Sequence, residues 1–158
     1  MKKILSFFAL SAIVLGMASC GDGNEPSNVS FNIQVKDLDA FSGTVCINPS
    51  NKDVWYFWGG DTKANFYANS EDAKTVINTM MAKKKNELKE DGMTFEQYLE
   101  WMKKQGNIEG FTKGYHEKEI SSFDPGKEYV VYACIVNKDA EVVGKVTTHE
   151  FTTSDTGE

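Results

Sequence analysis

The chain has few of the residues on which enzymatic and metal chemistry depends. Its 158 residues include two histidines, His116 and His149, and three cysteines. The histidines lie far apart in the sequence, and neither stands at a spacing that zinc sites use. The sequence has no nucleophile elbow and no glycine-rich phosphate loop. We therefore expect a protein that is not an enzyme, with no catalytic residues, no metal and no cofactor.

A membrane-spanning apolar run is also missing. The longest apolar stretch, Ile4 to Met17, has 14 residues, whereas a helix needs roughly 20 to cross the bilayer core. Two lysines precede this stretch, and the small residues Ala18 and Ser19 follow it. A short positive segment, a short apolar segment and small residues at its end are typical of a secretory signal peptide. We assign this signal peptide to residues 1–19.

The residue after the small pair is Cys20, and "ASC" resembles the lipobox of bacterial lipoproteins. The resemblance implies that Cys20 is lipidated, becomes the new N-terminus and anchors the protein to a membrane. Residues 20–28, "CGDGNEPSN", then form the lipidated cysteine and a flexible tether. The acids Asp22 and Glu25 resemble the export signal of Bacteroidetes surface lipoproteins. The expected location is the outer membrane, with the protein either surface-exposed or periplasm-facing.

The chain has fewer basic than acidic residues. The formal net charge is −6, and removal of residues 1–19 leaves 15 Lys+Arg against 23 Asp+Glu in 139 residues, a charge of about −8. Nucleic-acid binding depends on the neutralisation of phosphates by lysine and arginine. The balance therefore excludes nucleic acid as a partner. The remaining length suits one domain.

Residues 29–154 are expected to form that domain, mainly from β-strands. "FNIQVKDL" and "SGTVCINPS" alternate apolar and polar residues, as half-buried strands do, and Pro49 is expected to end the second strand. Further strands are expected in "DVWYFWGG", "KEYVVYACIVN" and "KVTTHEFTT". One helical region, at about residues 70–106, interrupts them. Ser70 is a plausible N-cap for its first helix, Thr94 and Gln97 form a capping-box pattern for the second, and glycines follow both.

The stretch "SSFDPGKEYVVYA" resembles the corner before strand F of fibronectin type III domains. Phe123, Pro125 and Tyr129 stand at the family's positions. The resemblance implies a fibronectin type III or immunoglobulin-like β-sandwich, in which the Tyr129 hydroxyl bonds back to the backbone. It covers residues 29–68 and 115–153, and it says nothing about function, because this fold carries many unrelated binding roles.

Two strands, Val54 to Trp58 and Tyr129 to Val136, are apolar on both faces, which indicates burial on both sides. In the implied fold they are the neighbouring strands C and F. One face meets the opposite sheet, so another element has to cover the other face. The helical segment follows strand C and carries an apolar stripe. We expect it to be a two-helix insert that packs on the outer face of the C-F-G sheet.

Aromatic residues are the only candidates for a ligand site. Trp55, Trp58, Trp101 and Tyr115, with Tyr56 between them, are residue types that stack on sugars and anchor protein interfaces. Core packing explains the same residues without a ligand. The Gly59-Gly60 pair and residues 106–117 form the loop-rich edge at which a site is expected.

Cys46 and Cys134 lie on the strands that would be B and F. If Tyr129, Val131 and Ile135 point into the core, Cys134 points outward, and Val45 and Ile47 imply the same for Cys46 on the opposite sheet. Sheets pack about 10 Å apart and disulfides need Cα atoms within roughly 7 Å. We therefore predict two free thiols, of which Cys134 is buried beneath the helices.

The function expected from these features is that of a lipid-anchored binding or interaction module with an unknown ligand. One alternative is a carbohydrate-binding accessory lipoprotein of a glycan uptake system, so that the partner is a protein or a glycan. Another is a small surface-anchored inhibitor or enzyme. A Cys46/His116 or Cys134/His149 pair comes closest to a nucleophile system, but strand cysteines in apolar surroundings are usually inert.

Overall fold

The computed structural model describes residues 28–106 and 110–156, so the predicted signal peptide, Cys20 and nearly all of the tether lie outside the described residues. The strands are β1 (Phe31–Lys36), β2 (Gly43–Pro49), β3 (Trp55–Thr62), β4 (Phe111–Lys113), β5 (His116–Ile120), β6 (Glu128–Val136) and β7 (Val142–Thr152). The helices are α1 (Lys63–Phe66), α2 (Ala73–Glu90) and α3 (Phe95–Gln105). No helix among the described residues is both long and apolar enough to cross a membrane.

The strands form two antiparallel sheets, which confirms the prediction of a mainly β fold. One sheet has the order β1-β2-β5 and the other the order β4-β3-β6-β7. In the first, Ile33 of β1 faces Ile47 of β2, and Ile47 also faces His116 of β5. In the second, β6 pairs with β3 over six residues and with β7 from Glu128 to Val136, with one irregularity between Ala133 and Ile135.

Two predicted strand boundaries are wrong. Strand β3 continues to Thr62, so Gly59 and Gly60 lie inside it and not in a loop after it. The pair is tolerated there because Tyr132 packs directly against Gly59, and a Cβ atom at Gly59 would lie 2.5 Å from the Tyr132 hydroxyl oxygen. The stretch 106–117, expected to be loop-rich, contains β4 and the start of β5.

The helices begin and end close to the expected residues, with one correction. The N-cap of α2 is Asp72 and not Ser70, because the Asp72 carboxylate accepts the backbone N–H of Thr75 at 2.9 Å. Ser70 instead accepts the N–H of Asp72. The capping box of Thr94 and Gln97 at the start of α3 is confirmed by both of its hydrogen bonds. The short helix α1 is not predicted by the sequence pattern.

Alternate residues of β6 belong to two separate cores. Val131, Ala133 and Ile135 lie between the two sheets. We call this cluster the inter-sheet core; its other buried members are Val29, Phe31, Ile33, Val45, Ile47, Val54 and Tyr56. Val130, Tyr132, Cys134 and Val136 lie on the opposite face of β6 and pack with buried residues of the helices.

We call this second cluster the subhelical core. Its helical members are Phe66, Ile77, Met81, Leu88, Phe95, Leu99 and Met102. A hydrogen bond also connects α2 to β7, because the Asn78 side-chain oxygen accepts the backbone N–H of Val142 at 2.8 Å. The Lys74 ammonium donates to the Gly144 carbonyl nearby.

The two described cysteines are free thiols, as the alternation of side chains predicts. Cys134 belongs to the subhelical core. Cys46 lies on the outer face of the β1-β2-β5 sheet, where its sulfur is 3.6 Å from a carboxylate oxygen of Glu117. The two thiols therefore lie on opposite outer faces of the paired sheets.

The corner before β6 is held by one tyrosine. The Tyr129 hydroxyl accepts the backbone N–H of Asp124 at 2.7 Å. The Tyr129 ring lies against Phe123 and Phe151, with centroid distances of 4.7 and 5.7 Å. Pro125 follows Asp124 in the turn that leads into β6.

Candidate functional site

A cleft opens between the two sheets along one side of the molecule. Strand β4 pairs only with Trp55, Tyr56 and Phe57, and one more bond runs from the Trp58 N–H to the Gly110 carbonyl at 2.8 Å. Beyond this point, no described strand pairs with the β4 side of β3. Strand β5 is likewise an edge strand of its own sheet. Between these two edges lies a cavity of about 720 Å³, which we call the inter-sheet groove.

The alternation of β5 supplies one wall of the groove. Its side chains His116, Lys118 and Ile120 line the cavity, whereas Glu117 and Glu119 point to the other face of the sheet. The Lys118 ammonium forms no ion pair with the described residues. A charged residue that points inward on an edge strand discourages pairing with another chain. Here the same residue places a cation beside an open cavity.

The segment from Trp58 to Thr62 of β3 supplies the opposite wall. One Asp61 carboxylate oxygen accepts the Thr62 N–H at 2.6 Å and the Asn65 side-chain amide at 3.3 Å. The aromatic rings of Phe123, Tyr129 and Phe151 also line the cavity. The groove therefore combines aromatic surface with one cation and one anion, which is the usual composition of a small-ligand site.

His116 is the residue whose environment most needs an explanation. Its ring lies 4.7 Å from the Trp58 ring, centroid to centroid. Its Nε2 atom is buried and has no hydrogen-bond partner among the described residues. Burial lowers the pKa of this imidazole below its ordinary value, and the nearby Lys118 ammonium lowers it further. The ring is therefore neutral at pH 7, and its Nε2 can donate or accept one hydrogen bond, depending on the tautomer.

Buried polar atoms without partners are rare, and each indicates strain or a missing partner. Because His116 lines the groove, a rotation of its ring towards the cavity would let a ligand supply that partner. A neutral imidazole, a carboxylate and an ammonium can hold hydroxyl groups, while the Trp58 ring offers a flat apolar surface. The arrangement is suited to binding a small ligand that carries hydroxyl groups and one flat apolar face.

The four aromatic candidates from the sequence do not form one platform. Trp58 alone lines the groove. Trp55 stacks on Phe111 at 5.5 Å and packs against the subhelical core. Trp101 is 44% exposed on α3, and Tyr115 is 52% exposed, with its hydroxyl bonded to Glu117.

Tyr56 is a structural residue. Its ring is fully buried in the inter-sheet core, and its hydroxyl donates to the Gly114 carbonyl at 3.0 Å. Of the five aromatic residues that the sequence offers for a ligand site, only Trp58 lines the groove.

Neither cysteine forms a pair with a histidine. Cys46 faces Glu117 across the β2–β5 pairing, and His116 faces Ile47 and points to the other side of the sheet. Burial raises the pKa of the Cys134 thiol to about 12, which keeps it protonated and unreactive at neutral pH. No group of three His, Cys, Asp or Glu side chains in the described part of the chain is arranged to hold a metal ion.

The sequence pattern did not single out Asp61 or Lys118 as parts of a site. His116 entered it only as the candidate partner of Cys46 and as a member of the edge at residues 106–117. One signal was present: in an extended strand, "HEKEI" puts His116, Lys118 and Ile120 on one face and two glutamates on the other. The start of this strand falls within residues 106–117, for which the sequence predicts a loop-rich edge.

Comparison with known proteins gave no match: no protein-family model, no curated protein and no solved structure is significantly similar to the chain.

Proposed function

We propose that the protein is a lipid-anchored binding module of the bacterial cell envelope, and that its ligand enters the inter-sheet groove. The observation that carries this proposal is the buried, unpartnered Nε2 of His116 beside Trp58 in a cavity of about 720 Å³. A protein without a ligand there would leave that polar atom unsatisfied at a cost of about 1–3 kcal/mol.

The module is a fibronectin type III-like sandwich with a helical insert after strand C. Support for this type comes from the strand order, since β1-β2-β5 corresponds to A-B-E and β3-β6-β7 to C-F-G. The Tyr129 hydroxyl bond to Asp124 is of the kind that a tyrosine corner makes. Helices α2 and α3 follow the strand that corresponds to C, and they pack on the face of β6 that points away from the first sheet.

The attachment to the membrane depends on Cys20 alone. We expect Cys20→Ser to release the protein into the soluble fraction, because the acyl chains on this sulfur are the only anchor in the proposal. Fractionation of cells after a high-salt wash measures the effect. Retention of the variant in membranes would contradict the lipobox assignment.

A carbohydrate is the ligand that the groove favours, which makes a glycan-binding accessory lipoprotein the second candidate function. The Trp58 ring can stack on the apolar face of a sugar ring. Asp61, His116 and Lys118 around it offer an acceptor, a neutral imidazole and a donor for hydroxyl groups.

A glycan array with the purified protein tests whether the groove binds a ligand and whether that ligand is a carbohydrate. We expect binding to a subset of glycans that falls at least tenfold in His116→Ala. The matched controls are His149→Ala, because His149 lies on β7 outside the groove, and Trp101→Ala, an exposed tryptophan on α3. Equal losses in the controls would place the site elsewhere. An array with no signal would exclude a carbohydrate ligand. Cross-linking in intact cells, through a photoreactive group at position 118, would then show whether a protein occupies the groove.

A further inference from the structure

One carboxylate holds the loop between β1 and β2, residues 37–42, which we call the Asp39 loop. One oxygen of Asp39 accepts the backbone N–H groups of Phe41 and Ser42, at 2.7 and 2.6 Å. The other oxygen accepts the Ser42 hydroxyl at 2.9 Å, and the Asp39 N–H donates to the Ser42 carbonyl. Asp37 has a φ of 49°, a conformation that is uncommon outside glycine. The backbone of this loop is therefore fixed.

The Asp39 loop is attached to the wall of the inter-sheet groove at two points. The Phe41 carbonyl accepts the N–H of Phe123 at 3.0 Å, and Phe123 lines the groove. The side chains of Leu38 and Phe123 also meet over Gly43. A Cβ atom at Gly43 would lie 3.2 Å from Leu38 and 3.3 Å from Phe123. The loop therefore forms part of the rim of the groove.

This rim presents an aromatic ring to solvent. Phe41 is 54% exposed, more than any other large apolar side chain in the described part of the chain. Because its backbone is already fixed, binding of a ligand to this ring costs little loop-ordering free energy. Phe41 is therefore pre-organised to contact a ligand.

The Asp39 loop also lies away from the proposed membrane anchor. Phe31 of β1 faces Pro49 of β2 at the end next to residues 28–30, whereas Lys36 faces Thr44 at the other end. The loop follows Lys36, so the length of β1, about 20 Å for six residues, separates it from the tether. A ligand can reach this rim without approaching the membrane.

The spacing between two aromatic rings sets the length of the ligand. Trp58 lies against His116 at the start of β5, with 4.7 Å between the ring centroids. At the end of β5, Ile120 faces Gly43, the residue that follows the loop. The extended strand between His116 and Ile120 covers about 13 Å. One sugar ring does not span this distance, whereas an oligosaccharide does.

We propose that the Asp39 loop extends the ligand site of the inter-sheet groove, so that the site takes an oligosaccharide, with Trp58 as the inner aromatic platform and Phe41 as the outer one. Asp39 is the positioning residue that fixes Phe41. This extension rests on the proposed function, in which the groove binds a carbohydrate.

The test uses neutral oligosaccharides of one, two and four rings from the α-1,4-glucan, β-1,4-glucan and β-1,4-mannan series. Calorimetry gives the affinity, and NMR of the ¹⁵N-labelled protein locates the contact. In a series that binds, we expect the tetramer to bind at least tenfold more tightly than the monomer. The monomer should shift the Trp58 indole N–H signal, and the tetramer should also shift the backbone amides of Phe41 and Ser42.

Variants of the loop separate the outer platform from the groove. Phe41→Ala should weaken the tetramer at least tenfold and leave the monomer unchanged, whereas Phe41→Trp retains a platform and should retain binding. Trp101→Ala, which removes an exposed aromatic ring on α3, should change neither affinity. Asp39→Ala should weaken the tetramer at least threefold, and Asp39→Asn should restore most of the loss, because its amide oxygen can accept the same N–H groups. If Asp39→Ala does not fold, the Phe41 variants still decide the question.

Equal affinities for monomer and tetramer, or an unchanged tetramer affinity in Phe41→Ala, would overturn the proposal. Tetramer binding that shifts Trp58 without the loop amides would overturn it as well and would leave the groove as the ligand site. Absence of binding in all three series would also overturn it, and the groove would then be tested by the cross-linking at position 118. His116→Ala should weaken monomer and tetramer alike, so an unchanged monomer affinity in this variant would count against the groove itself.

Discussion

The inter-sheet core and the subhelical core lie on the two faces of one strand, β6, and they are built differently. The inter-sheet face of β6 presents Val131, Ala133 and Ile135, which are short or β-branched. The subhelical face packs against long, flexible side chains of the helices, such as Met81 and Met102.

The difference between the two cores follows from the kind of layer that packs on each face of β6, a second sheet or a pair of helices. A second sheet presents a regular surface about 10 Å away, which stiff β-branched side chains fill well. Two helices on a twisted sheet present an irregular surface, and flexible methionines fill its gaps. We infer that the inter-sheet core supplies rigidity and that the subhelical core tolerates change.

The largest effect is expected from removal of the helices. Trp58 and Gly110 are hydrogen-bonded neighbours, so a short glycine-serine loop from Thr62 to Gly110 can replace residues 63–109. The variant should aggregate, because it exposes the subhelical face of β6 as one apolar patch. Light scattering and size-exclusion chromatography measure this.

The matched control for the deletion carries threonine at Val130, Tyr132 and Val136, which makes the exposed face polar while retaining β-propensity. We expect this control to recover solubility at least in part. A deletion variant without these threonines that stays monomeric and equally stable would show that the helices contribute nothing to the fold.

Truncation of one isoleucine in each core compares the cores directly. Ile47 in the inter-sheet core and Ile77 in the subhelical core are both fully buried. Ile→Ala in a core costs about 2–5 kcal/mol, and the cost falls where neighbours can collapse into the space. We expect Ile47→Ala near the upper end and Ile77→Ala near the lower end, measured by urea denaturation. The reverse order would reject the inferred difference in rigidity.

Much of this architecture was predictable from the sequence. The stretch "YVVYACIV" is apolar on both faces and therefore required two covered faces. The position of Tyr129 then indicated which face belongs to which core. Side-chain alternation in β2 and in β6 placed Cys46 and Cys134 on opposite sides, and both are free thiols. Local capping chemistry located the start of α3 at Thr94.

The groove was not predictable, because it depends on contacts that are distant in sequence. His116 is brought to Trp58 only when β5 pairs with β2 and β3 pairs with β6. Gly59 and Gly60 indicated a turn by local propensity, but the packing of Tyr132 against Gly59 overrode it. The sequence pattern could not choose between Ser70 and Asp72 as the N-cap of α2, because both side chains offer a hydrogen-bond acceptor.

A smaller effect concerns the pH dependence of stability through Cys134. Burial raises the pKa of this thiol from 9.0 to about 12. The folded state therefore keeps the proton that the unfolded chain loses above pH 9, so stability present below pH 9 is lost as the pH rises towards 12. The slope is at most about 1.4 kcal/mol per pH unit.

The measurement is urea denaturation from pH 8 to 11 under reducing conditions. Relative to the wild type, Cys134→Ala should lose less stability with rising pH, because the titrating thiol is gone. Cys46→Ala retains Cys134 and should follow the wild-type pH dependence. Identical curves for all three proteins would mean that Cys134 is accessible to solvent, and the helices would then not seal this face.

The smallest effect compares two tyrosine hydroxyls on β6. Tyr129 accepts the Asp124 N–H at 2.7 Å on the inter-sheet side, whereas the Tyr132 hydroxyl, on the subhelical side, has no hydrogen-bond partner among the described residues. Tyr129→Phe should cost about 1 kcal/mol, since it leaves the Asp124 N–H without its acceptor. Tyr132→Phe loses no such bond and should change stability by less than about 0.5 kcal/mol. Chemical denaturation of both variants under one set of conditions gives the difference. Equal losses of stability in the two variants would mean that the Tyr129 hydrogen bond does not support a tyrosine corner. A larger loss in Tyr132→Phe would show that the subhelical core is the more sensitive of the two to substitution.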